Sequence, residues 1–321
     1  MTSKLRDAEK QQIIIRGQKP GYVTTIVGCT HGDEKIGAEI LDWLLETLNP
    51  EDICGEIRLV LANPEAYDAD RRFMDEDLNR LMAPERLAEI AAKPEHERNT
   101  EEKRALELAE LYKDVDHLLD IHATGKPSEF SFTCSADTPI HNAIAENFDV
   151  DYIISEHESA QTSMAVGPTD TYIDLLGGVG VTLEAGWLGD STLLDATKED
   201  VARFLKHVGA VPNMPVTEKR KKPAQKFVIY EEMRAATDEY IPAADFSNFH
   251  EFKQGELIAT DGGTEIRASK DSVIIFPKKD LQKGNVTGYL AEKIKEDACP
   301  TQKRSSGTRQ GQRRTLRSLT I

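Results

Sequence analysis

Cysteine is scarce in this sequence of 321 residues. The four cysteines, Cys29, Cys54, Cys134 and Cys299, are far apart and form no Cys-x-x-Cys pair. That excludes a disulfide framework and a structural cysteine zinc site, and the first three read as buried, reduced thiols. No apolar run reaches the roughly eighteen residues that a membrane span needs. The first residues, Met1 to Asp7, are polar and lack the apolar stretch of a secretory signal. Both absences point to a cytoplasmic protein without a membrane partner. Basic charge is also in deficit: 40 lysines and arginines stand against 56 acidic residues, a net charge of −16. A nucleic-acid partner is not expected of such a surface, because the phosphate backbone calls for a basic one. Residues 298–321 are the exception, with six basic residues, no acidic ones and many Ser, Thr, Gly and Gln. They read as a solvated, disordered tail, the one stretch with the charge to touch RNA or an acidic surface.

What is present describes a water-soluble globular chain, 39% hydrophobic and 30% charged. Strands are expected at residues 12–16, 22–27, 56–62, 117–121, 130–134, 152–154 and 179–183, where β-branched and apolar residues cluster. Helical spacing marks residues 36–48, 84–92, 100–115, 139–147 and a helix opened by Ser191 or Thr192 and running to Val208. Thr100 is the expected cap of the third of these. Residues 65–80 read as a long polar loop, of the kind that carries function more often than filler. Alternating strands and helices predict an α/β catalytic domain over residues 1–211, with a mixed, largely parallel sheet flanked by helices. Residues 212–224, rich in Pro, Lys, Arg and Thr, read as a linker. Residues 225–297, with strands at 226–230, 256–259 and 272–276 between turn signals, predict a smaller, mainly β domain. The basic tail follows.

The chemistry concentrates at strand ends. The stretch Gly28-Cys29-Thr30-His31-Gly32-Asp33-Glu34 lies between the second strand and its helix, and open α/β sheets bind ligands at such carboxyl ends. His122 and Glu184 end two further strands. His31, Glu34 and His122 supply two imidazoles and a carboxylate, the ligand set of a catalytic zinc site that keeps one position open. Glu184 is then free to move protons for a metal-activated water. Asp120 shares a strand face with His122, whereas His117, an odd number of residues away, falls on the other. His96 lies in a charged stretch and reads as solvated, and His141, His157, His207 and His250 have no partner at ligand spacing.

Four ordered motifs carry a resemblance. The glycine-flanked His-x-x-Glu stretch, Asp77-Leu78-Asn79-Arg80, Asp120-Ile121-His122-Ala123-Thr124 and Leu183-Glu184-Ala185-Gly186 resemble the succinylglutamate desuccinylase/aspartoacylase family, which has the zinc-carboxypeptidase-like fold. The resemblance implies one zinc ion per chain on His31, Glu34 and His122, with Glu184 as general base and acid. It implies that Arg72 stabilises the oxyanion, although the adjacent Arg71 is open to the same role. It implies that Asn79 and Arg80 hold the substrate carboxylate, and that Asp77 orients a zinc-bound imidazole, that of His31. The activity implied is amide hydrolysis of an N-acylated amino acid or similar small carboxylate. A zinc carboxypeptidase acting on peptides and a non-catalytic metal-binding module are the alternatives, and a homo-oligomer is compatible with all three.

The sequence departs from the family pattern twice. Members carry a second basic residue upstream of the catalytic glutamate, where this chain has Asp174, and no Lys or Arg occurs between Lys126 and Lys198. The family's tyrosine in the second domain aligns with Asn285, with Tyr289 close by. Lys126 or a residue of the second domain is expected to compensate.

Overall fold

The structure is a computed structural model. It describes residues 4–124, 130–156, 162–164, 166–219, 222–278 and 282–294. The basic tail, Lys126, His157 and Cys299 lie outside the described residues.

The strands are β1 (Gln12–Arg16), β2 (Lys19–Gly28), β3 (Cys54–Leu61), β4 (His117–Thr124), β5 (Phe132–Cys134), β6 (Tyr152–Glu156), β7 (Val179–Trp187), β8 (Gln225–Arg234), β9 (Tyr240–Pro242), β10 (His250–Phe252), β11 (Leu257–Asp261), β12 (Thr264–Arg267), β13 (Ser272–Ile275) and β14 (Val286–Lys293). The α-helices are α1 (Ile36–Thr47), α2 (Pro64–Ala69), α3 (Pro84–Ala92), α4 (Thr100–Leu111), α5 (Pro139–Ala145), α6 (Thr169–Leu176) and α7 (Leu193–His207).

Eleven strands form one sheet in the order β1-β3-β2-β4-β7-β5-β6-β8-β14-β13-β10. β3, β2, β4 and β7 run parallel, as do β5, β6 and β8, and the two groups meet antiparallel at β7 and β5. β4 lies within the parallel group and is buried along almost its whole length, as a strand covered on both faces must be. The predicted mixed, largely parallel sheet is thus the observed one, with a β-rich C-terminal region. β8 pairs in parallel with β6, so the large sheet continues past the stretch read as a linker. A three-stranded sheet, β12-β11-β9, lies beyond it.

Period two sorts the strand residues between two helical layers. Leu119 and Ile121 of β4 and Val181 and Leu183 of β7 join the core beneath α1 and α7, with Leu41, Leu44, Phe204 and Leu205. Each such leucine, fully buried, stabilises the fold by about 1.5–3 kcal/mol relative to exposure. Leu118 faces the other way, into the core of α3, α4 and α6 with Ile90, Leu108, Tyr112 and Ile173. Asp120, His122, Thr182 and Glu184 share that second face by alternation, so the strands deliver their polar ends to one side.

Three local expectations differ from the structure. The loop expected from Glu65 opens as helix α2, because Pro64 fits the first helical position and the Asn63 side chain accepts from Ala66 N. The cap of α4 is Asn99 rather than Thr100. Asn99 and Glu102 form a reciprocal capping box, which satisfies two terminal donors at once. Helix α6 has no counterpart among the expected elements. It starts after Pro168 and stops at Gly177, whose φ of 92° supplies the left-handed turn.

Candidate active site

Backbone contacts fix the loop after β2. Gly28 and Gly37 touch so closely that a Cβ on Gly28 would lie 2.7 Å from the Gly37 carbonyl carbon. The strand end and the start of α1 are thereby held together. Gly32 is wedged against α2, where a Cβ would come within 2.1 Å of the Ala66 carbonyl carbon, and its amide donates to Arg72 O at 3.1 Å. Cys29 is buried in the left-handed region at φ 57°, a strained state for a non-glycine residue of the kind that gathers at functional sites. A turn closed by Glu34 N donating to His31 O at 3.1 Å then points both side chains inward.

His31, Glu34 and His122 converge there, and all three are buried. His31 Nδ1 stands 2.8 Å from Glu34 Oε1, His122 Nδ1 stands 3.0 Å from Glu34 Oε2, and the two Nδ1 atoms face each other at 3.2 Å. Ligands bonded to zinc at about 2.0–2.1 Å with tetrahedral angles stand roughly 3.3 Å apart. The observed spacings of 2.8–3.2 Å are of that order, so the three side chains could hold a small divalent cation. Two imidazole nitrogens and a carboxylate thus stand within reach of one another in a buried cluster.

The outer ring nitrogens meet carboxylates. Asp77 Oδ1 lies 3.1 Å from His31 Nε2 and also accepts from Asn79 N at 3.0 Å. The one side chain thus caps the turn at Leu78–Arg80 and faces the imidazole. Asp120 Oδ2 lies 3.2 Å from His122 Nε2, although that nitrogen is not aligned for a hydrogen bond. Thr30 Oγ1 lies 2.9 Å and 3.1 Å from the two Asp120 oxygens and fixes the carboxylate.

These contacts set the ionisation. Burial alone would lower His31 and His122, but Glu34 with Asp77 raises the first, and Asp120 with Glu34 raises the second well above the usual imidazole range. Burial would raise Glu34, and the two imidazoles outweigh it and hold the carboxyl well below its usual range. Glu184 goes the other way. Burial raises it, Glu34 adds to the rise, and His122, His31 and Arg72 oppose it. Glu184 is the register partner of His122 across β4 and β7, and no hydrogen-bond partner for it occurs among the described residues.

The adjacent arginines differ in what they touch. Arg72 Nη1 lies 3.3 Å from Glu34 Oε1 and its Nη2 lies 3.8 Å from Asp77 Oδ2, with the side chain half-exposed. Arg71 carries no such contact to the cluster among the described residues. Asn79 Oδ1 accepts from Thr169 N at 3.2 Å, which leaves its Nδ2 free to donate. Arg80 Nη1 donates to Asn79 O at 2.6 Å.

Two further groups gave no signal in the sequence. The carboxylate of Glu101, fully buried at the start of α4, accepts from Asn63 Nδ2 at 3.1 Å, Met74 N at 2.7 Å, Asp75 N at 2.9 Å and Glu76 N at 3.4 Å. It therefore shapes the loop that leads to Asp77. Acidic residues are common in a first helical turn, so the sequence offers no hint of this reach. Ser163 Oγ bridges Glu232 and the Tyr289 hydroxyl, the latter at 2.8 Å. Asp174, at the position where a basic residue was expected, binds His141 Nε2 at 2.9 Å and accepts from Gly180 N at 2.8 Å. His141 thus has a carboxylate partner after all, within the packing of α5 and α6.

An α/β sheet that gathers at its strand ends a His-Glu-His cluster able to hold a metal ion, with a second carboxylate and a guanidinium near it, defines a structural class. Comparison with known proteins narrows it. Residues 20–208 match the succinylglutamate desuccinylase/aspartoacylase catalytic domain, and residues 225–293 match the barrel-sandwich hybrid domain of the same proteins. The chain belongs to the succinylglutamate desuccinylase/aspartoacylase family. It is 24% identical over 288 residues to succinylglutamate desuccinylase of Vibrio parahaemolyticus, spanning 84% of this chain and 80% of that protein. It is 26% identical over 278 residues to the Burkholderia orbicola protein of the same name, spanning 81% and 78%. The solved structure of the Vibrio parahaemolyticus protein superposes with a TM-score of 0.72 at 20% identity, over 88% of this chain and 86% of that one. The product-bound ectoine utilization protein EutE of Ruegeria pomeroyi superposes at 0.63 with 21% identity, over 87% and 88%. No described helix is long and apolar enough to cross a membrane.

Proposed function

We propose that this chain is a zinc-dependent deacylase that hydrolyses the amide bond of an N-acyl amino acid or a related small carboxylate. The observation that carries the reading is the buried cluster of His31, Glu34 and His122, with ligand atoms within reach of one another, and Glu184 beside His122 on the next strand. Zinc held by those three side chains would acidify water and polarise the scissile carbonyl.

The remaining steps belong to the protein. Glu184, with its carboxyl raised by burial, takes a proton from the attacking water and returns it to the leaving nitrogen. Arg72 offers fixed positive charge where the carbonyl oxygen becomes an oxyanion, and its half-exposed guanidinium leaves a face open to substrate. Asn79 Nδ2 and Arg80 receive the substrate carboxylate, for which a guanidinium fork is suited. Asp77 holds the His31 ring, so that Nδ1 points inward. The test is a panel of N-acyl amino acids and short peptides, assayed before chelation, after chelation and after zinc is returned. Hydrolysis of acyl amino acids that vanishes and recovers is expected. Turnover indifferent to chelation, or confined to peptides, would overturn the reading.

A further inference from the structure

The C-terminal region reaches the Asn79–Arg80 turn through one short stretch of chain. Glu232 of β8 holds the near end. Its Oε2 accepts from Ser163 N at 2.6 Å and from Ser163 Oγ, while Arg234 offsets its charge through the other oxygen. The Ser163 hydroxyl also meets the Tyr289 hydroxyl of β14 at 2.8 Å. The residues on either side are fixed as well. Thr162 N donates to Glu156 Oε1, at the end of β6, at 2.7 Å, and Met164 N donates to Thr162 Oγ1 at 3.0 Å. Met164 packs against the apolar cluster that contains Phe132, Phe249 and Tyr289.

The far end lies on the turn itself. Gly167 has φ 118°, and a Cβ there would stand 3.2 Å from Arg80 O and 3.3 Å from Arg80 Cα, so backbone meets backbone. Met82 N donates to Gly167 O at 3.1 Å, and Thr169 N donates to Asn79 Oδ1 at 3.2 Å. The second bond decides an orientation. A side-chain amide has an acceptor end and a donor end, and its partners determine which end faces a ligand. With Oδ1 taken by Thr169 N, Asn79 presents Nδ2 to an anion. An amide released from that bond is free to turn its oxygen toward a carboxylate, which would repel it. Met164 and Gly167 are three residues apart, so their Cα atoms stand within about 11 Å. A tether this short carries a displacement of Ser163 to the turn.

We propose that Glu232 is a positioning residue: through Ser163 it braces the Gly167–Thr169 segment, which aims the Asn79 amide and seats Arg80 for the substrate carboxylate. The proposal deepens the deacylase reading and rests on it for the role of Asn79 and Arg80. The test compares wild type with Glu232→Leu, which removes the acceptor, and Glu232→Gln, which keeps one oxygen. Hydrogen exchange of the zinc-loaded full chain, followed in peptides covering residues 79–82, reads the brace without turnover. Kinetics on an N-acyl amino acid read its consequence. In Glu232→Leu, exchange in residues 79–82 should quicken while peptides of β2 stay as in wild type. KM should rise about tenfold, the scale of one hydrogen bond to a charged group, with kcat changed less than about twofold. Glu232→Gln should restore most of both, because both Ser163 donors use a single oxygen. Ser163→Ala, which loses only the hydroxyl, should show the same changes at smaller size. Unchanged exchange in residues 79–82, equal quickening throughout the chain, or a fall in kcat at constant KM would overturn the proposal. Quickened exchange confined to residues 79–82, in a chain that hydrolyses no acyl amino acid, would support the brace and remove the deacylase reading alone.

Discussion

Replacing Glu101 tests how the polar loop before Asp77 is held. The carboxylate accepts four donors, split between its oxygens: Asn63 Nδ2 and Met74 N on Oε1, Asp75 N and Glu76 N on Oε2. Glu101→Gln keeps the volume but leaves one oxygen. In either orientation the new NH2 confronts two N–H donors, so two hydrogen bonds are lost and donor faces donor. Hydrogen bonds to a charged group contribute about 1.5–3 kcal/mol each, so the loss lies between about 3 and 6 kcal/mol before relaxation. Backbone shifts in residues 74–76 recover part of it, and a net destabilisation of about 3 kcal/mol is expected. Urea denaturation of wild type and variant under identical conditions measures it. Because the loop leads to Asp77 and carries Arg72 nearby, turnover should fall as well, even where the variant is folded. A stability change under about 1 kcal/mol would show that the buried carboxylate is not what holds the loop.

Two further outcomes follow from the same geometry. Burial raises the Asp170 carboxyl from 3.8 to about 7, so its folded pKa lies above its unfolded one. The folded chain then binds this proton more tightly, and the contribution of Asp170 to stability is complete below about pH 4, declines as pH rises to about 7 and stays reduced above it. The difference is on the order of 4 kcal/mol, and urea titrations of the chelated protein should show that Asp170→Asn flattens the slope. Identical slopes would refute it. At Gly32, a Cβ would enter the backbone of α2. Gly32→Ala should cost about 2 kcal/mol by overpacking and weaken zinc binding by moving His31. Unchanged thermal stability and zinc affinity would contradict the fit.

Much of the fold was legible because its signals are local. β1 coincides with the expected strand at residues 12–16, and α3 with the expected helix at residues 84–92, since patterned apolar residues and a proline start encode both without distant help. His31 and Glu34 were legible as a pair from the turn between β2 and α1, and His122 from its place at a strand end. The partners that surround them were harder to read. Asp120 shares a strand face with His122, but only the packed structure shows Thr30 fixing it. Glu101 lies far along the chain from the loop it organises. The cap of α4 was misread by one residue because Asn99 and Thr100 are both good caps, and the reciprocal bond with Glu102 decides between them. Helix α6 was missed because its apolar positions are few and short of two full turns. Local pattern sets the elements, whereas polar networks are set by which elements meet.

The central claim is that His31, Glu34 and His122 hold the metal while Glu184 moves the proton. The most direct measurement is zinc content and single-substrate turnover in Glu184→Gln beside the wild type. The account predicts about one zinc per chain in both proteins, with turnover lowered at least about a hundredfold in the variant. Undiminished turnover, or a variant that has lost its zinc, would contradict it.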